Sequence, residues 1–257
     1  MNIGGRDDIL IRVESLDLAY GNHLVLKNIS FEVRRGDCLV VMGGSGCGKS
    51  TLLKSMVGLL APLKGEIIID RDELWLDGKK KRKDTLKKLG VLFQNGALWS
   101  SMTVFENVAM PLEVFTDLGE KEVENLVDYK LALVGLSGAG NFYPSELSGG
   151  MRKRAGLARA MAMDPEILFL DEPSAGLDPI TSKRLDDLIN ELKESLGISF
   201  VVVTHELASI FDIADDSIFL DSDSKEILAR GNPKDLLEEN NLIKVRSFLE
   251  RKTENNS

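Results

Sequence analysis

The segment Gly43-Gly44-Ser45-Gly46-Cys47-Gly48-Lys49-Ser50 is the first place where this sequence offers chemistry. A glycine, four further residues and then Gly-Lys-Ser is the spacing of a loop that cradles phosphate. Successive backbone N–H groups can point into one concavity where the chain takes conformations that a Cβ would obstruct, and glycines remove the obstruction. A helix starting at Ser50 aims its N-terminal dipole at the same anion. Lys49 then offers positive charge to β and γ phosphates, and Ser50 a hydroxyl to Mg²⁺. About 120 residues later, Ile167-Leu168-Phe169-Leu170-Asp171-Glu172 supplies the acidic half. Its four apolar residues predict an interior strand, so Asp171 emerges at the carboxyl edge, where open α/β sheets bind ligands. Asp171 can hold Mg²⁺ through water, and Glu172 can polarise the attacking water.

The elements needed to position these residues are legible around them. Ile9, Ile11 and Val13 alternate with polar residues, as do Ile29, Phe31 and Val33, which predicts strands. Cys38–Met42 is a continuous apolar run of buried-strand type leading into the glycines. Leu52, Leu53, Met56, Leu59 and Leu60 predict a helix from Ser50 to Leu60. Gly65–Asp70 and Val91–Phe93 read as short strands. From about Gln94 to Ala162 the pattern turns helical, with Glu120–Leu136 and Met151–Met163 apolar at threes and fours. After Pro165, strands return at Ile167–Leu170, Ser199–Thr204, Ser217–Leu220 and Glu226–Ala229, with a helix from about Pro179 to Leu196. The whole predicts an α/β core interrupted by a helical insert. Pro233–Arg251 has helical spacing, the tail Thr253–Ser257 reads as frayed, and the basic run Lys79–Lys83 reads as a solvated loop.

Composition narrows the function classes. The chain has 257 residues, 43% hydrophobic and 28% charged, which is ordinary for a globular protein. No apolar stretch reaches the roughly 18 residues of a membrane span, so any membrane role must come through a partner. A net charge of −9 disfavours nucleic acid as a partner. Two cysteines, Cys38 and Cys47, cannot make a disulfide framework and suit a reduced, cytosolic setting. The first eight residues show no basic and apolar regions of signal-peptide type.

Between the two phosphate motifs stands Leu147-Ser148-Gly149-Gly150-Met151. With them in this order, the sequence resembles the ATP-binding-cassette (ABC) ATPases over roughly residues 8 to 232. The resemblance implies a P-loop NTPase fold: a RecA-like α/β core (about 8–93 and 163–232), an antiparallel β subdomain and a helical subdomain (about 94–162), followed here by a helical tail (233–257). It implies ATP and Mg²⁺ as ligands. Tyr20 matches the aromatic that stacks on adenine, and the phosphate loop, Gly43 through Ser50, runs on into Thr51. Gln94 matches the glutamine at the junction of core and insert, which implies a catalytic role beside Glu172 and His205 and a metal role beside Ser50 and Asp171. His205, after the apolar run Phe200–Val203, matches the switch histidine at the γ-phosphate. Ser148, Gly149 and Gly150 would close on the ATP held by a second copy, with Asp178 of the loop Ser174–Asp178 meeting its counterpart. The ATPase is then a homodimer that sandwiches nucleotide.

The signature ends in Met151, where most of the family has Gln. Together with Phe93–Leu98, Met102–Leu112 and Glu172–Ile180, this is similar to the ATPases of Mla-type, MCE-associated phospholipid transporters. That similarity implies a separate integral-membrane permease, gripped by roughly Gly96–Leu112, with an MCE-domain protein and a small STAS-like subunit as further partners. It implies a peripheral position on the cytoplasmic face of the inner membrane. Another ABC importer or exporter is the alternative. A soluble ABC protein of translation would carry two cassettes, and one of DNA repair a long coiled coil, and neither is visible. A non-catalytic cassette would lack Glu172 or His205, and both are present.

Overall fold

The structure, a computed structural model, describes residues 8–76, 79–239 and 242–250. In chain order the elements are β1 (Ile9–Tyr20), β2 (His23–Arg34), β3 (Cys38–Gly43), α1 (Lys49–Met56), β4 (Lys64–Ile69), β5 (Asp72–Glu73), α2 (Lys79–Lys87) and β6 (Leu89–Leu92). The helical stretch follows as α3 (Val104–Phe115), α4 (Glu120–Leu133) and α5 (Gly149–Ala160). Then come β7 (Ile167–Asp171), α6 (Pro179–Leu196), β8 (Ser199–Val203), α7 (Leu207–Ile213), β9 (Asp216–Leu220), β10 (Ile227–Gly231), α8 (Pro233–Glu239) and α9 (Ile243–Glu250).

Among the described residues, two sheets carry the fold. The larger has the order β10-β9-β3-β8-β7-β6, parallel from β9 to β6 with β10 antiparallel at one edge. Its central strands are apolar along their length because helices and the second sheet cover both faces. Alternate residues of β3 therefore serve different cores. Val40 and Met42 face α3–α6, whereas Leu39 and Val41 face α1 and the smaller sheet. That smaller sheet, β2-β1-β4-β5, is antiparallel, and the Gly21-Asn22 turn closes its first hairpin. Its core-facing residues are the alternating ones read from the sequence, among them Ile11, Val13, Ile29 and Phe31.

Several boundaries differ from the sequence reading. The first helix stops at Met56 rather than Leu60, since Val57 leaves helical geometry and Gly58 follows at φ 78°. Among the described residues, the tail forms two short helices instead of one periodic stretch. The basic run is not a loop but opens α2. Lysine and arginine are good helix formers, and this helix is anchored on one side. Arg82 stacks over Trp75 at 3.9 Å and donates to the Gly58 carbonyl, Thr85 is buried, and Leu86 packs on the second core. The expected fraying of Thr253–Ser257 lies outside the described residues.

Candidate active site

The carboxyl ends of β3, β7 and β8 meet at one edge of the large sheet, where a cavity of about 830 Å³ opens. Gly43 to Gly46 and Gly48 to Thr51 line it. Two glycines are required by geometry. Gly43 has φ 146°, and a Cβ there would meet the Leu220 carbonyl oxygen at 2.4 Å; Gly48, at φ 103°, precedes α1 in the left-handed region. Lys49 is 9% exposed, and its Nζ donates to the carbonyls of Gly43 and Gly44, both at 2.9 Å. The ammonium thus closes the loop on itself and stands where an anion in the loop would meet it. Cys47 does not line the cavity: its side chain is buried with Sγ turned toward Gly43, and burial pushes its thiol pKa up.

The acidic half stands at the end of β7, with β8 between it and β3. Ser50 Oγ donates to Asp171 Oδ1 at 3.1 Å. Burial raises the Asp171 pKa, with the Glu172 charge adding to it and the Ser50 hydrogen bond opposing. A divalent cation would relieve that burden, and a hydroxyl beside a carboxylate is a donor set hard cations accept. The residues present therefore fit Mg²⁺. Glu172 is 9% exposed with φ 48°, a left-handed backbone that a non-glycine residue adopts at a cost of about 1–3 kcal/mol. His205 Nδ1 lies 2.8 Å from Glu172 Oε1. An ionised carboxylate only accepts, so this contact puts the imidazole hydrogen on Nδ1. Glu172 Oε2 is buried and has no hydrogen-bond partner among the described residues. A buried oxygen left open beside a phosphate loop is where a water's hydrogen can go.

Gln94 also lines the cavity. Tyr20 does not: it stands at the hairpin tip, 48% exposed, while Val25 of β2 forms the nearby wall. Ser148, Gly149 and Gly150 lie outside this cavity. Ser148 caps α5, its Oγ accepting from the Met151 N–H at 3.2 Å. Ser148 and Gly150 line a second hollow with Arg154 and Arg184, and Gly149 a third with Gln94 and Lys153. Asp178 caps α6, accepting from the N–H groups of Ile180 and Thr181 at 3.1 and 3.0 Å. Phe248 of α9 lines the cavity too, packed edge-on against Phe219 with ring centroids 5.3 Å apart. The sequence reading missed it because helical spacing gives a face but no partner. It also missed Lys153, whose position in an amphipathic helix carries no sign of what it touches.

The family profile described as ABC transporter matches residues 26–175. Among curated proteins, the chain is 39% identical over 240 residues to the intermembrane phospholipid transport system ATP-binding protein MlaF of Haemophilus influenzae, covering 93% of this chain and 90% of that protein. To MlaF of Escherichia coli K12 it is 41% identical over 241 residues, covering 94% and 88%. It is also 38% identical over 241 residues to a probable ribonucleotide transport ATP-binding protein, mkl, of Mycobacterium tuberculosis, covering 94% of this chain and 66% of that one. Among solved structures, cbiO1 of Clostridium perfringens, part of an ABC transporter complex, superposes with TM-score 0.82 at 30% identity over 90% of this chain and 92% of that one. The cassette MJ0796, dimeric in a post-hydrolysis state with ADP and Pi, gives 0.79 at 28% identity over 87% and 98%. By sequence and by fold, the chain belongs to the ABC transporter family, as one of its ATP-hydrolysing cassettes.

Proposed function

We propose that this chain is the ATPase subunit of a transporter that moves phospholipid between membranes, two copies working as a pair beneath a separate permease. The observation that carries the catalytic part is the buried, unpartnered Oε2 of Glu172 beside the phosphate loop, its other oxygen engaged by His205. The loop and Lys49 bind the triphosphate, Lys49 exchanging its carbonyl partners for phosphate oxygens. Mg²⁺, when bound by Ser50 and Asp171 with Gln94 nearby, would neutralise charge on the phosphates. Glu172 Oε2 accepts a hydrogen from water, whose oxygen attacks the γ-phosphorus as the bond to the β-phosphate oxygen breaks. His205 orients the carboxylate and contacts the γ-phosphate, and Tyr20 contributes adenine stacking.

The pair follows from what one chain lacks. Ser148 and the α5 N-terminus form a second anion-favouring edge, yet they stand apart from the chain's own phosphate cavity. A second copy brings that edge to the γ-phosphate, Asp178 lying at the junction. The likeness to a dimeric cassette supports this. The lipid substrate is supported by the names of the relatives in Haemophilus influenzae and Escherichia coli. Among the described residues no helix is long and apolar enough to cross a membrane, so lipid contact falls to the permease. An MCE-domain protein, a STAS-like subunit and a peripheral place at the cytoplasmic face of the inner membrane complete the proposal.

Glu172→Gln tests it. The variant should bind Mg-ATP as the wild type does, lose hydrolysis by about 100-fold or more, and form an ATP-dependent dimer by light scattering. Undiminished hydrolysis removes Glu172 from its role. Failure to trap a dimer removes the sandwich. Co-purification of a permease and lipid transfer in reconstituted vesicles test the substrate.

A further inference from the structure

Lys153 is 6% exposed, buried where the signature helix, the Gln94 turn and the end of β7 converge. Its Nζ donates to the carbonyl oxygen of Glu172 at 3.0 Å and to that of Gln94. Among the described residues it makes no ion pair. Burial pushes its pKa down, and the charges of Glu172 and Asp171 oppose that. A buried ammonium with only carbonyl partners is an expensive way to fill space, and a neutral side chain of the same length would pack there at less cost.

What the ammonium holds is specific. The 94–97 turn is seated on α5 by Arg159, which donates to the carbonyls of Gly96 and Ala97 at 3.0 and 2.7 Å. Lys153 adds the Gln94 carbonyl to that set. It alone, of the α5 side chains, also reaches the main chain of Glu172. That residue keeps its left-handed backbone through few bonds: its N–H donates to Val203 at 2.8 Å, and its carbonyl accepts from Ala175 at 3.2 Å and from Lys153. Backbone in a strained region persists where its surroundings over-determine it.

We infer that Lys153 is a positioning residue for hydrolysis: from the helix that begins at the signature segment, it pins the main chain of both Glu172 and Gln94. The carboxylate then sits for water attack when α5 is seated against the core, which couples the seating of the helical region to turnover. The inference rests on the assignment of Glu172 made above. Lys153 does not line the phosphate cavity, so its loss acts on the rate and spares nucleotide affinity.

The test compares Lys153→Met, Lys153→Gln and Lys153→Arg in the full chain, reading steady-state ATP hydrolysis and the Kd for a fluorescent ATP analogue. A displacement near 1 Å at a reacting group costs on the order of 100-fold. The Met and Gln variants should therefore lose about 10- to 100-fold in kcat, with KM and Kd within about threefold of wild type. Arg, which keeps the charge and can fork to two carbonyls, should restore most of the loss. Should the Met variant not yield folded protein, the Gln variant is judged by the same criteria. Wild-type kcat in the neutral variants overturns the inference, as does equal loss of kcat and affinity, or an Arg variant no better than Met. Glu172→Gln, run in parallel, separates the two readings. Full activity in that variant sinks the catalytic assignment, whereas an inactive Glu172→Gln beside a fully active Lys153→Met sinks the role of Lys153 alone.

Discussion

Asp186 shows how one buried carboxylate can set a pH dependence. It lies in α6 at 2% exposure, its Oδ2 accepting from Ser209 Oγ at 2.8 Å and its Oδ1 without a hydrogen bond among the described residues. Ser209 Oγ in turn lies 3.5 Å from Ser174 Oγ, so the cluster joins α6, α7 and the segment after Glu172. Burial raises the Asp186 pKa from 3.8 to about 6, the Ser209 hydrogen bond pulling the other way. The folded state thus binds this proton more tightly than the unfolded chain. The stabilisation is complete below the unfolded value and is lost as pH rises through about 6. Asp186→Asn, which cannot ionise, should lack this loss. Urea unfolding at about pH 5 and about pH 8 should show wild type losing on the order of 1 kcal/mol relative to the variant. Parallel pH dependence in the two proteins removes Asp186 as the source. The glycine-rich segment 43–50 was legible as a candidate site because its chemistry is contiguous: eight residues carry glycines, cation and hydroxyl together. The Asp186 cluster was not, since Ser174, Asp186 and Ser209 are joined only by folding.

α5 is the element on which the site depends most. Its N-terminus is capped by Ser148, Lys153 and Arg159 of its middle and last turn seat the 94–97 turn, and its apolar side packs on β6. The seat is tight at Gly156, where a Cβ would meet Leu92 Cδ1 at 2.7 Å and the Gly96 carbonyl oxygen at 3.1 Å. Alanine is the better helix former by about 1 kcal/mol, but overpacking of this kind costs about 1–3 kcal/mol. Gly156→Ala should therefore be neutral to destabilising by up to about 2 kcal/mol, and should lower kcat through the displaced turn. A gain in stability in chemical unfolding, with kcat unchanged, would show that the helix and turn part without cost. Helix existence here was legible from spacing at threes and fours. The contacts were not, because periodicity assigns a face to a helix and says nothing of the neighbour. The basic run illustrates the same limit: charge alone suggested a loop, and Trp75, Gly58 and the buried Thr85 made it a helix.

The whole molecule presents Trp99 to solvent, 57% exposed, beside a core that contains Val104, Val108 and Leu112. Asn107 fixes this arrangement, accepting from the Trp99 N–H at 2.7 Å and donating to the carbonyls of Trp99, Met102 and Thr103. The stretch Gly96–Leu112 therefore divides its apolar residues between an internal core and an outward ring. If that ring meets the permease, Trp99→Glu should cut lipid transport by about 10-fold or more in reconstituted vesicles while leaving ATP affinity unchanged. Unaltered transport at normal expression would place the permease elsewhere. The sequence by itself determined the α/β fold, the glycine-rich loop after β3, the apolar strand ending in Asp171 and the helices between β6 and β7. Each is written in local residue types or in short-period patterning, which elementary sterics and burial convert directly into structure. Only the tertiary structure decided that Glu172 has one oxygen on His205 and one open, that Lys153 holds its carbonyl, and that Ser148, Gly149 and Gly150 lie outside the cavity lined by Gly43–Gly46. Those facts are distances between segments far apart in the chain, and packing, which no local pattern encodes, sets them.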